Sequence, residues 1–316
     1  MNKKNDALKK ILIFTSSIDY TVDYIISMYS DTVDFYRVNV DMLQFYTINV
    51  NETIWTISTQ NWSINSSEIY SIYYRKPRLP DLSEYEIQYI NMIKKDIIAL
   101  IEGLVNSFEG FVLTRPYILH NCENKVSQLQ KAKKLFLDVP KSLITNVAID
   151  ANRFIENVSI IKPLTTGKII FDNKVEIFQT NLINKLDSDD IRLTPIYLQE
   201  YIEKSYEVRA TFVGSIVFCV KINSSNKVDW RDEKAINEYE VINMPLDILN
   251  KCICLMHLFN INFGAFDFIV DKNGNWIFLE VNPNGQWLWL EEELDLNISG
   301  KIIDLLKEDL NEKNIS

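Results

Sequence analysis

Apolar and polar positions alternate most regularly in the stretch FGAFDFIVDKNGNWIFLEVNPNGQW, which begins at Phe263. Phe266, Phe268 and Val270 are separated by Asp267 and Ile269. Asn273-Gly274 then interrupts, and a second run follows from Trp276 to Val281. Asn-Gly between two such runs predicts a β-hairpin. A two-residue turn at Asn273-Gly274 pairs Lys272 with Asn275 and, further along, Asp267 with Glu280. Nearer the N-terminus, short strands alternate with helices. Strands are expected at 11–14, 33–39, 53–58 and 69–74, and a helix at 20–29. A longer helix runs from Ser83 to Phe108, with Ser83 and Glu86 at capping-box spacing. This alternation over 1–120 predicts a small open α/β domain. Beyond Asn121 the pattern predicts a helix opening at Asn124 and strands at 142–145, 195–202, 206–213 and 216–222. Helices at 245–259 and 299–309 complete the order.

Composition narrows the class. A chain of 316 residues, 47% apolar and 24% charged, is long enough for two or three modest domains with real cores. The net charge of -10, with no basic tail to offset it, argues against non-specific nucleic-acid binding. The N-terminal basic residues precede only Ile11–Phe14, too short for a signal peptide, and no run approaches a membrane span. A cytoplasmic protein is expected, with no membrane partner. The four cysteines suit reduced, buried thiols, with Cys252 and Cys254 on different faces of a helix. Of the two histidines, His257 sits in an apolar helix as a core or capping residue. A histidine-centred triad or general base is not expected, so the chemistry falls to metal, lysine and arginine.

Three features carry candidate chemistry. In the hairpin, Asp267 and Glu280 face each other, and alternation adds Asn282 to the same face. Opposed carboxylates repel unless a cation sits between them, and an all-oxygen set suits Mg²⁺. A solvated face with two unrelated acids is the other reading, although both acids lie in strongly apolar runs, where an unpaired charge is costly. Arg75 lies at the C-terminal end of a strand, in Tyr74-Arg75-Lys76-Pro77-Arg78, where open α/β sheets bind ligands. A solvated basic turn is equally compatible. Lys162 stands at a strand end before Pro163, and Thr165-Thr166-Gly167-Lys168 forms a small loop, either a phosphate cradle or an ordinary hairpin turn.

Taken in order, several segments resemble the ATP-grasp superfamily of carboxylate ligases. They are NKxxQLxxA from Asn124, VPKSLIT from Val139, IKP from Ile161, QEYIEKSYEVR from Gln199, DWR from Asp229, and the hairpin itself. DWR, LEVNPNGQW and the N-terminal YYRKP are more specifically similar to the graspetide synthetases, microviridin-type ligases that macrocyclise ribosomal precursor peptides. The resemblance implies an α/β ATP-grasp fold in three parts: a pre-ATP-grasp domain over 1–120, a central lid and leader-binding domain over 121–198, and a C-terminal antiparallel-sheet catalytic domain over 199–316. It implies ATP and Mg²⁺ as cofactors. Lys125 and Lys162 would reach the phosphates, with Lys221 a weaker match. Gln199, Glu200, Tyr201 and Ile202 would form the adenine hinge, and Glu207 would hold the ribose. Asp267, Glu280 and Asn282 would hold the metal. Arg231 and Arg209 would stabilise the transferred phosphoryl or acyl phosphate, and Arg75 is the third candidate catalytic arginine. The implied partner is a precursor peptide with leader and core, docking on 165–192, with the 165–168 loop as lid. A homodimer is implied by the family alone. An ATP-grasp ligase joining two separate molecules and a non-catalytic peptide- or nucleotide-binding module are the alternatives.

Overall fold

The computed structural model describes residues 8–155, 158–165, 168–171, 174–177, 181–186, 190–228, 230–231 and 234–308. Thr166 and Gly167 of the expected lid, Asp229 of DWR, and several residues of the expected leader-docking region lie outside the described residues. The chain divides into two compact units, one built from 1–119, 261–263 and 286–316, the other from 120–260 and 264–285.

In the first unit, β1 (Lys9–Thr15), α1 (Tyr20–Tyr29) and β2 (Val33–Asn39) form a parallel crossover. A small antiparallel sheet follows, made of β3 (Thr47–Val50), β4 (Trp55–Ser58) and β5 (Ser63–Asn65). Then come β6 (Ser71–Tyr74), α2 (Ile87–Ser107), β7 (Phe111–Val112) and α3 (Pro116–Glu123). The main sheet has the order β2-β1-β6-β7, all parallel, so its connections reverse direction between β1 and β6. Fully buried Leu12, Phe14 and Ile72 of this sheet join Ile101, Leu104 and Val105 of α2 in one core. The capping box expected at Ser83 and Glu86 does not form. Asp81 instead accepts the Ser83 N–H at 2.9 Å, Leu82 and Tyr85 close a turn, and the helix starts at Ile87.

The second unit begins its regular structure with α4 (Lys125–Lys134), β8 (Ser142–Thr145), α5 (Ala148–Phe154) and β9 (Ser159–Lys162). The hairpin strands β10 (Lys168–Phe171) and β11 (Lys174–Ile177), then β12 (Asn181–Ile183) and β13 (Ile196–Glu200), follow. The chain continues with β14 (Lys204–Val213), β15 (Ile216–Ser224), β16 (Asn237–Val241) and α6 (Leu246–Phe259). The hairpin β17 (Phe263–Asp271) and β18 (Trp276–Asn282) comes next, and α7 (Leu288–Leu294) and α8 (Ile298–Leu306) return to the first unit. One antiparallel sheet has the order β12-β9-β13-β8, and a larger one β16-β15-β14-β17-β18. Phe266, Phe268 and Phe278 of the hairpin pack with Phe212 of β14 in one aromatic layer, with Phe212 and Phe266 ring centres 5.0 Å apart.

The hairpin forms, but not by the expected turn. Asp271 and Asn275 close a three-residue loop, with the Asp271 N–H on the Asn275 carbonyl at 3.1 Å and Gly274 at φ 83°. Asp271 also accepts from the backbone N–H of Asn273 and Asn275, both at 2.8 Å, which fixes the loop. Val270 therefore pairs with Trp276 and Phe268 with Phe278. A bulge then inserts Leu279, and Asp267 pairs with Glu280 as expected. Two one-residue offsets cancel. Without the bulge, Glu280 would point into the aromatic layer.

Three cysteines are buried, whereas Cys254 is exposed, opposite in orientation to buried Cys252. Burial pushes the Cys122 and Cys219 thiols up to about 12, which makes them poor nucleophiles. His257 is on the outer face of the last turn of α6 rather than in the core. Among the described residues no helix is long and apolar enough to cross a membrane.

Candidate active site

Asp267 is the centre of the site. It is only 4% exposed, on an inner strand of the five-stranded sheet. Arg209, buried on β14, donates to its Oδ1 at 2.7 Å, and Arg231, in the loop after β15, donates to Oδ2 at 2.7 Å. Glu280 stands opposite on β18. Its Oε2 accepts from Lys125 Nζ at 2.6 Å, and its Oε1 lies 3.5 Å from Arg231. Burial pushes the Glu280 carboxyl up, but Lys125, Arg231 and Lys162 outweigh it and hold the pKa at about 2. Glu280 is thus held ionised by three cations, and Arg231 bridges it to Asp267. Asn282 is two residues further along β18 and opposite Ala265. It lines a cavity of about 570 Å³ with Lys125, Arg231 and Glu280. A smaller enclosed space, walled by Lys125, Lys162, Gln199, Leu279 and Glu280, adjoins the same Lys125–Glu280 pair. The bulge thus turns two adjacent residues, an apolar one and an acid, toward this space.

Lys125 is the first residue of α4, whose N-cap Asn124 accepts the Ser127 N–H at 3.0 Å. What holds that helix start against β18 is Gln128, the last residue of NKxxQ, for which the sequence alone implies no role. Its Nε2 donates to the carbonyls of Val281 and Cys122, each at 2.7 Å, and its Oε1 accepts the Val281 N–H at 3.0 Å. Since β18 is the edge of its sheet, the amide stands in for a missing neighbour strand. The available signal was the spacing, because Lys125 and Gln128 share a helix face at i, i+3. Gly285 is a second omission. A Cβ there would lie 2.5 Å from Ala265 Cβ and 3.2 Å from Arg209 Nη2, so the close approach requires glycine.

The hinge residues are the last two of β13, Gln199 and Glu200, and the two that follow it. Gln199 is 1% exposed and donates to Tyr197 Oη at 2.6 Å and Ser142 Oγ at 3.0 Å, while its Oε1 has no hydrogen-bond partner among the described residues. Glu200 is exposed, and its N–H donates to the Lys141 carbonyl at 2.9 Å. Tyr201 donates its N–H to Val158, and Ile202 is half-buried in the segment that leads to β14. Glu207 is buried and paired with Lys204.

Two expected residues are placed elsewhere. Lys221 pairs with Val208 across β14–β15, on the face opposite Arg209, and binds Glu240 at 3.1 Å. Strand alternation therefore turns it away from Asp267. Arg75 belongs to the first unit and is fully buried. It is 3.3 Å from Asp19 and donates to Thr21 Oγ1 at 3.0 Å and Gln286 Oε1 at 2.6 Å. The guanidinium, with no exposed surface, ties the end of β6 to the start of α1 and to the segment before α7.

Residues 122–306 match the RimK-like ATP-grasp domain. The chain belongs to the RimK-like ATP-grasp family. It is an ATP-dependent ligase with the ATP-grasp fold. Solved ATP-grasp ligases are similar over nearly the whole chain. A Chryseobacterium gregarium RiPP-associated ATP-grasp ligase, in complex with ADP and a leader and core peptide, is 24% identical at a TM-score of 0.83, covering 95% of this chain and 96% of that one. The macrocyclase MdnC of Microcystis aeruginosa MRC, bound with precursor peptide MdnA, is 25% identical with a TM-score of 0.83, covering 94% and 99%. The ATP-grasp ligase PsnB, complexed with a phosphomimetic variant of minimal precursor, Mg and ADP, is 18% identical at a TM-score of 0.78, covering 95% and 98%. No curated protein matches the chain.

Proposed function

We propose that this ATP-grasp ligase activates Asp or Glu side chains of a ribosomally made precursor peptide as acyl phosphates and joins them to Ser/Thr hydroxyls or Lys amines of the same peptide. The observation that carries the reading is the Asp267–Glu280 pair, opposed across the hairpin and held by Arg209, Arg231 and Lys125, with Glu280 lining the cavity. The residues fit the nucleotide and ion that the family uses. Two carboxylates and an amide are hard oxygen donors, and the buried Gln199 Oε1 is an acceptor suited to an exocyclic amino group.

Mg²⁺, when held by Asp267, Glu280 and Asn282, would neutralise the β- and γ-phosphates and orient the γ-phosphorus for in-line attack. Lys125 and Lys162 hold the phosphates, and Leu279 supplies an apolar wall beside Gln199 for the base. Arg231, whose side chain is 44% exposed, can reach the transferred phosphoryl group. Arg209, at 7% side-chain exposure, acts by positioning Asp267. The substrate carboxylate attacks the γ-phosphate, ADP leaves, and the hydroxyl or amine displaces phosphate from the acyl carbon. We place the lid and leader-binding region in 121–198 and the catalytic domain in 199–316. In the same reading the enzyme is a cytoplasmic homodimer.

Intact-mass analysis of a candidate precursor incubated with ATP and Mg²⁺ tests this. Each ring formed removes one water, a loss of about 18 Da with one ADP released, and Glu280→Gln abolishes both. A mass gain of one amino acid instead identifies an intermolecular ligase, and nucleotide binding without ADP formation identifies a non-catalytic module.

A further inference from the structure

We propose that His120 is the base that takes the proton from the attacking hydroxyl or amine, an inference resting on the acyl-phosphate reading above. His120 is exposed in the last turn of α3 and lines the cavity of about 570 Å³ that Arg231, Glu280 and Asn282 also line. Among the described residues, the other ionisable groups facing that cavity are Glu123 on the same helix, Lys125 on α4, Arg231 after β15 and Glu280 on β18. Lys125 and Arg231 are cations that serve phosphate. Glu280 is engaged by both of them and is assigned to the metal, so its oxygens are already taken. Glu123 is a carboxylate, a weaker acceptor at neutral pH than imidazole. Histidine is the side chain suited to accept and return a proton near neutrality.

In the step, the nucleophile oxygen bonds to the acyl carbon while its proton passes to the imidazole. The bond from that carbon to the phosphate oxygen breaks, and its electron pair leaves with phosphate. The imidazolium then returns the proton to the departing phosphate, so neither oxidant nor further reactant is needed. An amine nucleophile follows the same course once it has lost its ammonium proton.

The test separates activation from ring closure. Full-length enzyme, precursor peptide, ATP and Mg²⁺ are incubated with hydroxylamine, which traps an acyl phosphate as a hydroxamate without help from a protein base. For His120→Asn we expect ADP and hydroxamate within about twofold of wild type while crosslinking without hydroxylamine falls about 100-fold. For His120→Ala, added imidazole restores part of the crosslinking rate. Hydroxamate formation by the variants also shows that they are folded. Crosslinking at the wild-type rate overturns the assignment. So does a parallel loss of hydroxamate and crosslinks that imidazole does not reverse. If wild-type enzyme itself yields no hydroxamate, the acyl-phosphate reading fails first and this proposal falls with it.

Discussion

Replacing Gln128 by leucine keeps most of the side-chain volume and removes three hydrogen bonds at once. The Val281 N–H and carbonyl and the Cys122 carbonyl all lose their partner. Gln128 is only 4% exposed, so water does not freely replace it. A neutral hydrogen bond contributes about 1 kcal/mol net, and a buried group left unsatisfied costs about 1–3 kcal/mol. The variant should lose about 2–4 kcal/mol, which lowers the melting midpoint by about 5–12 °C for a unit of this size. The same bonds hold the start of α4 against β18, so Lys125 should lose its place beside Glu280 and nucleotide affinity should fall as well. Thermal melts and nucleotide titration of wild type, Gln128→Leu and Lys125→Ala separate the two effects. Lys125→Ala should weaken nucleotide binding and, because it leaves Glu280 without its nearest cation, its midpoint loss should fade as pH falls toward about 3, whereas that of Gln128→Leu should not. A Gln128→Leu midpoint within about 1 °C of wild type would refute the argument that this amide seals the strand edge.

The pKa of Glu280 is about 2 in the folded chain against an ordinary 4.5, so its pairing stabilises the fold above about pH 4.5 and that contribution is lost as pH falls toward 2. The urea-midpoint gap between wild type and Glu280→Gln should therefore narrow from about pH 6 to about pH 3, and a constant gap contradicts the assignment. Gly285→Ala should destabilise by about 1–3 kcal/mol, because the new methyl meets Ala265 and Arg209, with ADP formation falling as Arg209 shifts. Arg75→Met leaves Asp19 without its buried partner and should cost about 3–5 kcal/mol in denaturant titration. A variant of full stability that had lost only turnover would show instead that Arg75 acts on substrate.

Period and punctuation made much of this legible. The helix at 20–29 and the strands at 33–39 and 142–145 have the expected limits, because apolar spacing and local caps agree there. The facing of Asp267 and Glu280 was readable too, although by a route that missed both the three-residue loop and the bulge. Asp271 decides the loop through side-chain bonds that alternation does not encode. The short elements β3, β5, α5 and β16 were missed because three to seven residues offer too little periodicity. Lys221 looked like a phosphate ligand because a lysine in an apolar strand is conspicuous; its face depends on the register with β14. Arg75 was conspicuous for a similar reason, and its burial comes from Asp19 and Gln286, far away in the chain. Gln128 stayed unread because its partners are backbone groups of β18 and α3, and no composition or spacing announces a backbone partner.

The edge at β18 also limits how a peptide can be received. Extended peptides often dock by joining a sheet as one more strand, drawing affinity from main-chain hydrogen bonds along an open edge. On β18 the outward N–H of Phe278 is already given to the Asp138 carbonyl at 2.7 Å, and both outward groups of Val281 are taken by Gln128. No ladder can be extended there. In the function proposed above, a peptide beside Glu280 would then be held by its side chains and charges, leaving its backbone free to bend into a ring.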